Sequence, residues 1–212
     1  MWAVLTKDLR LASRTPGYAF LVLLPLLDAV ALGLVTYAGS AGSSASRGIA
    51  FGAVSAAALL ATFFGPAFFA LEVIAQSYGR TLPLSTRSMA LGKVTLVGGI
   101  FLAAGGIVLA ITAPRSGTPA LFAVFVLAEL PAVVAAGLAE LAILFRWARA
   151  RGTPVTNLYA GTWNVLLVSL PGVFLAGTPL AVFLLGGLAP MALVGLAELG
   201  IVAVAALGRG AS

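Results

Sequence analysis

The chain has no cysteine and no histidine, and few charged residues of either sign. Without cysteine there is no disulfide framework and no thiol chemistry. Without histidine it lacks the commonest general base and the commonest metal ligand. The acids that remain form no paired catalytic motif. An enzyme is therefore not expected, and neither a metal nor a cofactor is expected in this chain. A G-x-x-x-x-G-K-[ST] phosphate loop is also missing, so any ATP-driven work would need an engine elsewhere. Charged residues make up 8% of the 212 residues, against roughly 25% in soluble domains.

What replaces charge is apolar surface. Hydrophobic residues account for 61% of the sequence, more than one soluble core of this length can hide. They come in blocks of about 20 residues, the length needed to cross a hydrocarbon layer of ~30 Å. The blocks do not alternate polar with apolar, which excludes a small β-barrel. The reading is an all-α polytopic membrane helix bundle with about six transmembrane helices. The net charge of +6 does not indicate nucleic-acid binding, because the basic residues fall in loops on one side of a membrane.

Residues 1–16 are expected to form an interfacial amphipathic helix. Trp2, Leu5, Leu9 and Ala12 share one face, Thr6, Lys7, Arg10 and Ser13 largely the other, and Trp2 suits headgroup level. Pro16-Gly17 then breaks the helix. Residues 17–212 are expected to form the six-span domain, with spans near 18–38, 49–74, 94–113, 120–145, 158–177 and 187–207. Pro114-Arg115-Ser116-Gly117 reads as a turn. The apolar piece from Thr178 to Pro190 reads as a short re-entrant or interfacial segment, which protein contacts would have to shield. Lys7, Arg10 and Arg14 precede the first apolar stretch, and Ala38-Gly39-Ser40-Ala41 has the small residues of a cleavage site. That stretch is too long for a signal-peptide core and carries Asp28, so a retained first helix is expected.

Orientation follows from the basic residues. Lys7, Arg10, Arg14, Arg80, Arg87, Lys93, Arg146, Arg149, Arg151 and Arg209 collect on one side, leaving only Arg47 and Arg115 of the 12 for the other. The positive-inside rule puts both termini and the loops 76–93 and 146–156 in the cytoplasm, in keeping with an even number of spans. Every Lys and Arg is expected in a loop or at a helix end.

Five of the six acidic residues, Asp28, Glu72, Glu129, Glu140 and Glu198, fall within or at the edges of spans. A charge at the bilayer centre costs about 2.5–3.5 kcal/mol on insertion scales. With no basic partner expected at depth, Asp28, Glu129 and Glu198 must be protonated, bonded to hydroxyls or backbone, or face water. They are read either as a proton or cation site or translocation-path lining, or as neutral acids that fix helix packing. Glu72 and Glu140, nearer the cytoplasmic ends, read as interfacial ion-pair acids or as further polar sites. Pro25, Pro66, Pro131 and Pro171 inside spans read as static kinks or as hinges. Gly48 and Gly52, extended by Ala56, form a GxxxG of the kind that lets helices approach closely, a pattern expected by chance among 25 glycines.

The most informative stretch is Gln76-Ser77-Tyr78-Gly79-Arg80-Thr81-Leu82-Pro83-Leu84-Ser85-Thr86-Arg87. A merely solvated loop has little reason to display Leu82-Pro83-Leu84 beside Arg80 and Arg87. A docking surface for a soluble partner has one.

Together with Lys7-Asp8-Leu9-Arg10 before the first span, Glu72 at the end of the second, and Gly92-Lys93 after the loop, this stretch resembles the ABC-2 type transporter permeases. The layout matches over the whole chain, the local motif over residues 72–93. One departure is visible: Gly79-Arg80 stands where the family often carries an acid beside the Thr-Leu. The resemblance implies a permease dimer, homomeric or heteromeric, bound to cytoplasmic ATPase subunits that hold ATP and magnesium. Gly79, Arg80, Thr81, Leu82, Pro83, Leu84, Ser85 and Arg87 would then form the coupling surface. Arg146, Arg149 and Arg151 in the second cytoplasmic loop would be a further contact. It also implies the cell membrane as location and export as the commoner direction. The competing reading is a proton- or cation-coupled secondary transporter or channel that uses the intramembrane acids. A purely structural membrane protein stays open as well.

Overall fold

The computed structural model of the chain describes six α-helices, Gly187 between the last two, and the isolated residues Thr6, Arg10 and Arg14. The helices are α1 Pro16–Ala38, α2 Ser44–Ile74, α3 Thr86–Ser116, α4 Pro119–Arg151, α5 Thr162–Gly186 and α6 Leu188–Leu207. Four contain stretches long and apolar enough to cross a membrane: Leu91–Pro114, Pro119–Leu144, Leu167–Gly186 and Leu188–Ala205. The other two carry shorter apolar stretches, Val22–Ala38 and Gly48–Phe63, inside helices of 23 and 31 residues. The described part of the chain is thus a helical membrane bundle. Of the expected interfacial helix only Thr6, Arg10 and Arg14 are described, each helical and exposed; the rest lies outside the described residues.

Local chemistry sets several helix ends. Pro16 and Pro119 stand first in α1 and α4, where a fixed φ suits the helix and the missing N–H would have had no partner. Between α5 and α6 the chain turns on one residue. Gly187 has φ +83°, a left-handed conformation that glycine adopts without a Cβ clash. Its N–H donates to the Phe183 carbonyl at 2.9 Å. Gly186 allows Pro190 to close over the turn, since a Cβ there would stand 2.8 Å from the Pro190 ring.

Several expectations are corrected here. Residues 178–186 are neither re-entrant nor interfacial; they continue α5, which carries Pro171 and Pro179 inside it, and Pro190 sits in the first turn of α6. The fifth span is therefore displaced toward the C-terminus from 158–177. Pro114 does not end the third span, because α3 runs to Ser116. Membrane helices tolerate proline where neighbouring groups satisfy the freed backbone. Residues 86–93 and 146–151, expected in loops, belong to α3 and α4; 76–85 and 152–156 lie outside the described residues. The GxxxG packs on no other described helix: Cβ atoms at Gly48 and Gly52 would meet nothing within 4 Å.

The register of the bundle can be read from pairs of touching residues. Val94 lies over Gly137, Leu130 and Val134 over Gly98, and Val126 over Gly105, so α3 and α4 run antiparallel. Glu140 against Gly172 and Phe125 against Phe183 set α5 antiparallel to α4. Ser169 donates to the Phe63 carbonyl at 3.2 Å and Phe51 meets Phe183, so α2 and α5 are antiparallel too. Phe51, Phe122, Phe125 and Phe183 cluster with ring centroids 4.7–5.1 Å apart in tilted and edge-on geometry, which aromatic quadrupoles favour. This cluster marks one end of the bundle. The C-terminal ends of α2 and α4 and the N-terminal ends of α3 and α5 gather at the other. The C-terminus of α6 joins them there, since Arg146 Nη2 donates to the Ala205 carbonyl at 3.5 Å.

Alanines fill the centre. Ala50, Ala53, Ala57, Ala58 and Ala61 on α2, and Ala132, Ala135 and Ala136 on α4, are buried. Small side chains let these helices approach closely, which drives association where lipid tails remove any hydrophobic advantage. α4 packs on α2, α3, α5 and α6 and is the hub; α1 packs on α2 and α3.

Candidate functional site

In a hydrocarbon layer every polar group needs an internal partner. The hydroxyls find theirs at home. Thr36 donates to Leu32, Ser55 to Phe51, Thr62 to Ala58, Thr95 to Leu91, Thr112 to Val108 and Thr178 to Phe174, each a carbonyl one turn back at 2.7–3.1 Å. Such bonds need nothing from another helix.

The carboxyls differ. Glu129 and Glu140 are both fully buried, and neither oxygen of either has a hydrogen-bond partner. Asp28 Oδ2 and Glu198 Oε2 are buried and unpartnered as well. An uncompensated carboxylate at this depth is expensive, so these groups are neutral acids or stand ready to meet a cation.

The structure sorts them. Glu129 on α4 and Glu198 on α6 both lie beside the contact between these two helices. The backbones bring them there. A Cβ on Gly195 would lie 3.5 Å from the Ala128 carbonyl oxygen and 3.5 Å from the Ala132 nitrogen, so α6 rests directly on the α4 backbone. Glu198 follows Gly195 by one turn, and Glu129 lies between the two α4 contact residues. Both acids sit near the middle of their crossing stretches, Pro119–Leu144 and Leu188–Ala205. Glu129 is sealed inside; Glu198 is half-buried on a helix whose Leu193 and Ile201 are about 70% exposed.

Glu140 stands apart from this pair, pressed against α5. Its carboxyl occupies the space that a side chain at Gly172 would need. Asp28 stands on α1 beside the buried Ala29, and α1 packs chiefly on α2 and α3. Glu72 is on α2, its side chain outside the described residues.

Lys93 overturns the expectation that every basic residue lies in a loop or at a helix end. It is inside α3, within the crossing stretch Leu91–Pro114, and only 1% exposed. The helix begins at Thr86, so Lys93 is drawn in with it. Val94 against Gly137 places Lys93 and Glu140 at the same level of the bundle, and Lys93 is engaged in interactions of its own. The sequence contained one signal for this: Lys93 opens directly onto the apolar run from Val94 without an intervening polar residue.

Of the residues implied for partner coupling, Gly79, Arg80, Thr81, Leu82, Pro83, Leu84 and Ser85 lie outside the described residues. Arg87 is helical at the start of α3, and Arg146, Arg149 and Arg151 are helical at the end of α4. Arg146 is exposed, and its bond to Ala205 reaches one of the last carbonyls of α6, which have no partner within the helix. Among the described residues no three His, Cys, Asp or Glu side chains gather as metal ligands.

Comparison with curated proteins and with solved structures finds no match. Comparison with family models finds one: residues 1–207 match the family described as "Membrane protein of 12 TMs". The bundle of apolar helices, with its unpartnered acids at mid-depth, agrees with that description, and the chain belongs to this family of polytopic membrane proteins.

Proposed function

We propose that the chain is the membrane-spanning permease subunit of an ATP-driven transporter of the ABC-2 type, placed in the cell membrane and working as an exporter. The observation that carries this reading is the stretch Tyr78 to Arg87 followed by Gly92-Lys93, which joins α2 to α3. It departs from the same end of the bundle as the α4–α5 connection and the end of α6. One end thus gathers the helix ends that carry Arg87, Arg146, Arg149 and Arg151, and in sequence Arg87 closely follows the apolar anchors Leu82 and Leu84. That combination suits a cytoplasmic ATPase, whose subunits would hold the ATP and magnesium while this chain does no chemistry. Because Lys93 is buried, the contact itself falls to Gly79 to Ser85 and Arg87. The permease dimer that the resemblance implies would assemble two sets of six helices.

The test is a mild-detergent pull-down of the tagged chain from its native cells, with the parent and a Leu82→Asp/Leu84→Asp variant compared by mass spectrometry. An ATPase that co-purifies with the parent and is lost from the variant is the expected result. A parent that purifies without an ATPase in several detergents ends the reading.

The unpartnered pair Glu129 and Glu198 favours a second reading, a secondary transporter coupled to protons or cations. That reading expects transport by the chain alone in vesicles, driven by an ion gradient and lost in Glu129→Gln.

A further inference from the structure

We propose that Glu129 and Glu198 form a binding site for a lipophilic organic cation that enters from the bilayer alongside α6. As a cargo site it rests on the transport reading; as a binding site it stands on the geometry alone.

A pair of acids in a membrane could be a packing device, and this pair is poorly arranged for one. Packing acids bond to a neighbouring carbonyl or hydroxyl, whereas both oxygens of the fully buried Glu129 and Oε2 of Glu198 have no partner. Two like groups are held beside each other by a backbone contact at Gly195, an arrangement that one positive charge would relieve.

The character of that charge follows from what surrounds the pair. Calcium takes 6–8 oxygen ligands and magnesium demands near-octahedral geometry, and no third acidic or imidazole ligand joins the site among the described residues. A dehydrated metal ion would be under-coordinated. An organic cation needs no cage: its charge meets the carboxyls and its body meets apolar surface. One turn before Glu129 stands Phe125, buried and edge-on to Phe51 and Phe183, and aromatic faces attract organic cations. On the other flank Glu198 is half-buried on a helix whose Leu193 and Ile201 are exposed. A molecule already dissolved in the bilayer can reach Glu198 without crossing the core, and Glu129 lies one step further in.

The probe is radiolabelled tetraphenylphosphonium, added to the full chain in nanodiscs of zwitterionic lipid with no ATPase present. The parent is expected to bind saturably. Glu129→Gln and Glu198→Gln should each weaken binding at least tenfold, Glu198→Asp should restore part of it, and Ser55→Ala, whose hydroxyl bonds only its own helix, should bind as the parent. In parallel, dicyclohexylcarbodiimide, which reacts with carboxyls in apolar settings, should label the pair, and tetraphenylphosphonium should protect it. Absence of saturable binding by the parent overturns the proposal. So does binding that survives both Gln variants, labelling that the cation does not protect, or displacement of the probe by millimolar sodium or calcium, which would mark a metal site. Loss of ATPase co-purification alone would end the permease reading and leave this result standing.

Discussion

Helices α4 and α6 lie against each other and carry the same residue at mid-depth, yet they live in different solvents. Of α4's crossing stretch 61% is buried, of α6's only 11%. α4 is surrounded by α2, α3, α5 and α6, and its Glu129 and Glu140 have no exposed surface. α6 shows Leu193, Leu196, Ile201 and Val204 outward and packs on α4 and α5. An acid on α4 is confined by packing, so its surroundings are fixed. An acid on α6 stands at the boundary between protein and lipid, where something can reach it. In the proposed cation site the difference would give the two carboxyls separate parts, Glu129 the fixed anchor and Glu198 the more accessible group.

The largest effect is expected where the two helices touch. At Gly195 a Cβ would sit 3.5 Å from backbone atoms of Ala128 and Ala132, an ordinary contact. Gly195→Ala should therefore leave the bundle intact. Gly195→Leu puts a branched chain against backbone that cannot rotate away, and overpacking of this kind costs about 1–3 kcal/mol. α6 packs on α4 and α5, and the expected outcome is a loss within that range, with α6 displaced from α4 around Gly195. Denaturant unfolding in micelles measures it. A Leu variant as stable as the parent would show that this contact is not what holds α6.

The sequence shows clearly why such a contact exists and poorly where it is. Apolar blocks of helical length announced six helices, but Glu140, read as an interfacial ion-pair acid, is fully buried with no partner for either oxygen. The pairing of Glu129 with Glu198 was not legible, because it depends on Gly195 meeting Ala128 across a packing register that no local pattern encodes. Pro114 misled in one direction: it read as part of a turn, whereas the helix carries it inside. Lys93 misled in another. Counting basic residues as loop markers misses a lysine about two turns past a helix start, which can be drawn into the protein, and burial is a tertiary fact. Gly172 carried no sign of its role either, since only the structure reveals that Glu140 fills the space beside it.

That last contact yields the middle-sized prediction and tests whether α4's acids are as confined as the comparison claims. Glu140 rests where a side chain at Gly172 would go. Gly172→Ala must displace the carboxyl inside a packed interface, and a loss of about 1–3 kcal/mol is expected. If confinement is the cause, Gly172→Ala is far less harmful in a Glu140→Ala background. A double-mutant cycle should return a coupling of about 0.5–3 kcal/mol. Additive losses would mean that Glu140 moves aside freely and that α4's interior is looser than its burial implies.

The smallest effect belongs to the one polar thread between the ends of the two helices. Arg146 on α4 donates to the Ala205 carbonyl on α6 at 3.5 Å, from an exposed position. The bond is long and its donor is solvated, so its contribution to global stability is modest. A cation near a helix C-terminus contributes about 0.3–1 kcal/mol, and Arg146→Ala should lose no more than that. The loss should nonetheless be local. Ala205 lies within the last turn of α6, where carbonyls have no partner in the helix, and removing the guanidinium frees that turn to fray. Hydrogen exchange should rise at the C-terminal end of α6 while the amides around Phe125 and Ala132 on α4 keep their protection. Arg146→Lys should restore the charge near the carbonyls and most of the protection. If exchange rises equally along α4, the thread is holding the hub and not the edge, and the division between a fixed α4 and a yielding α6 is drawn in the wrong place.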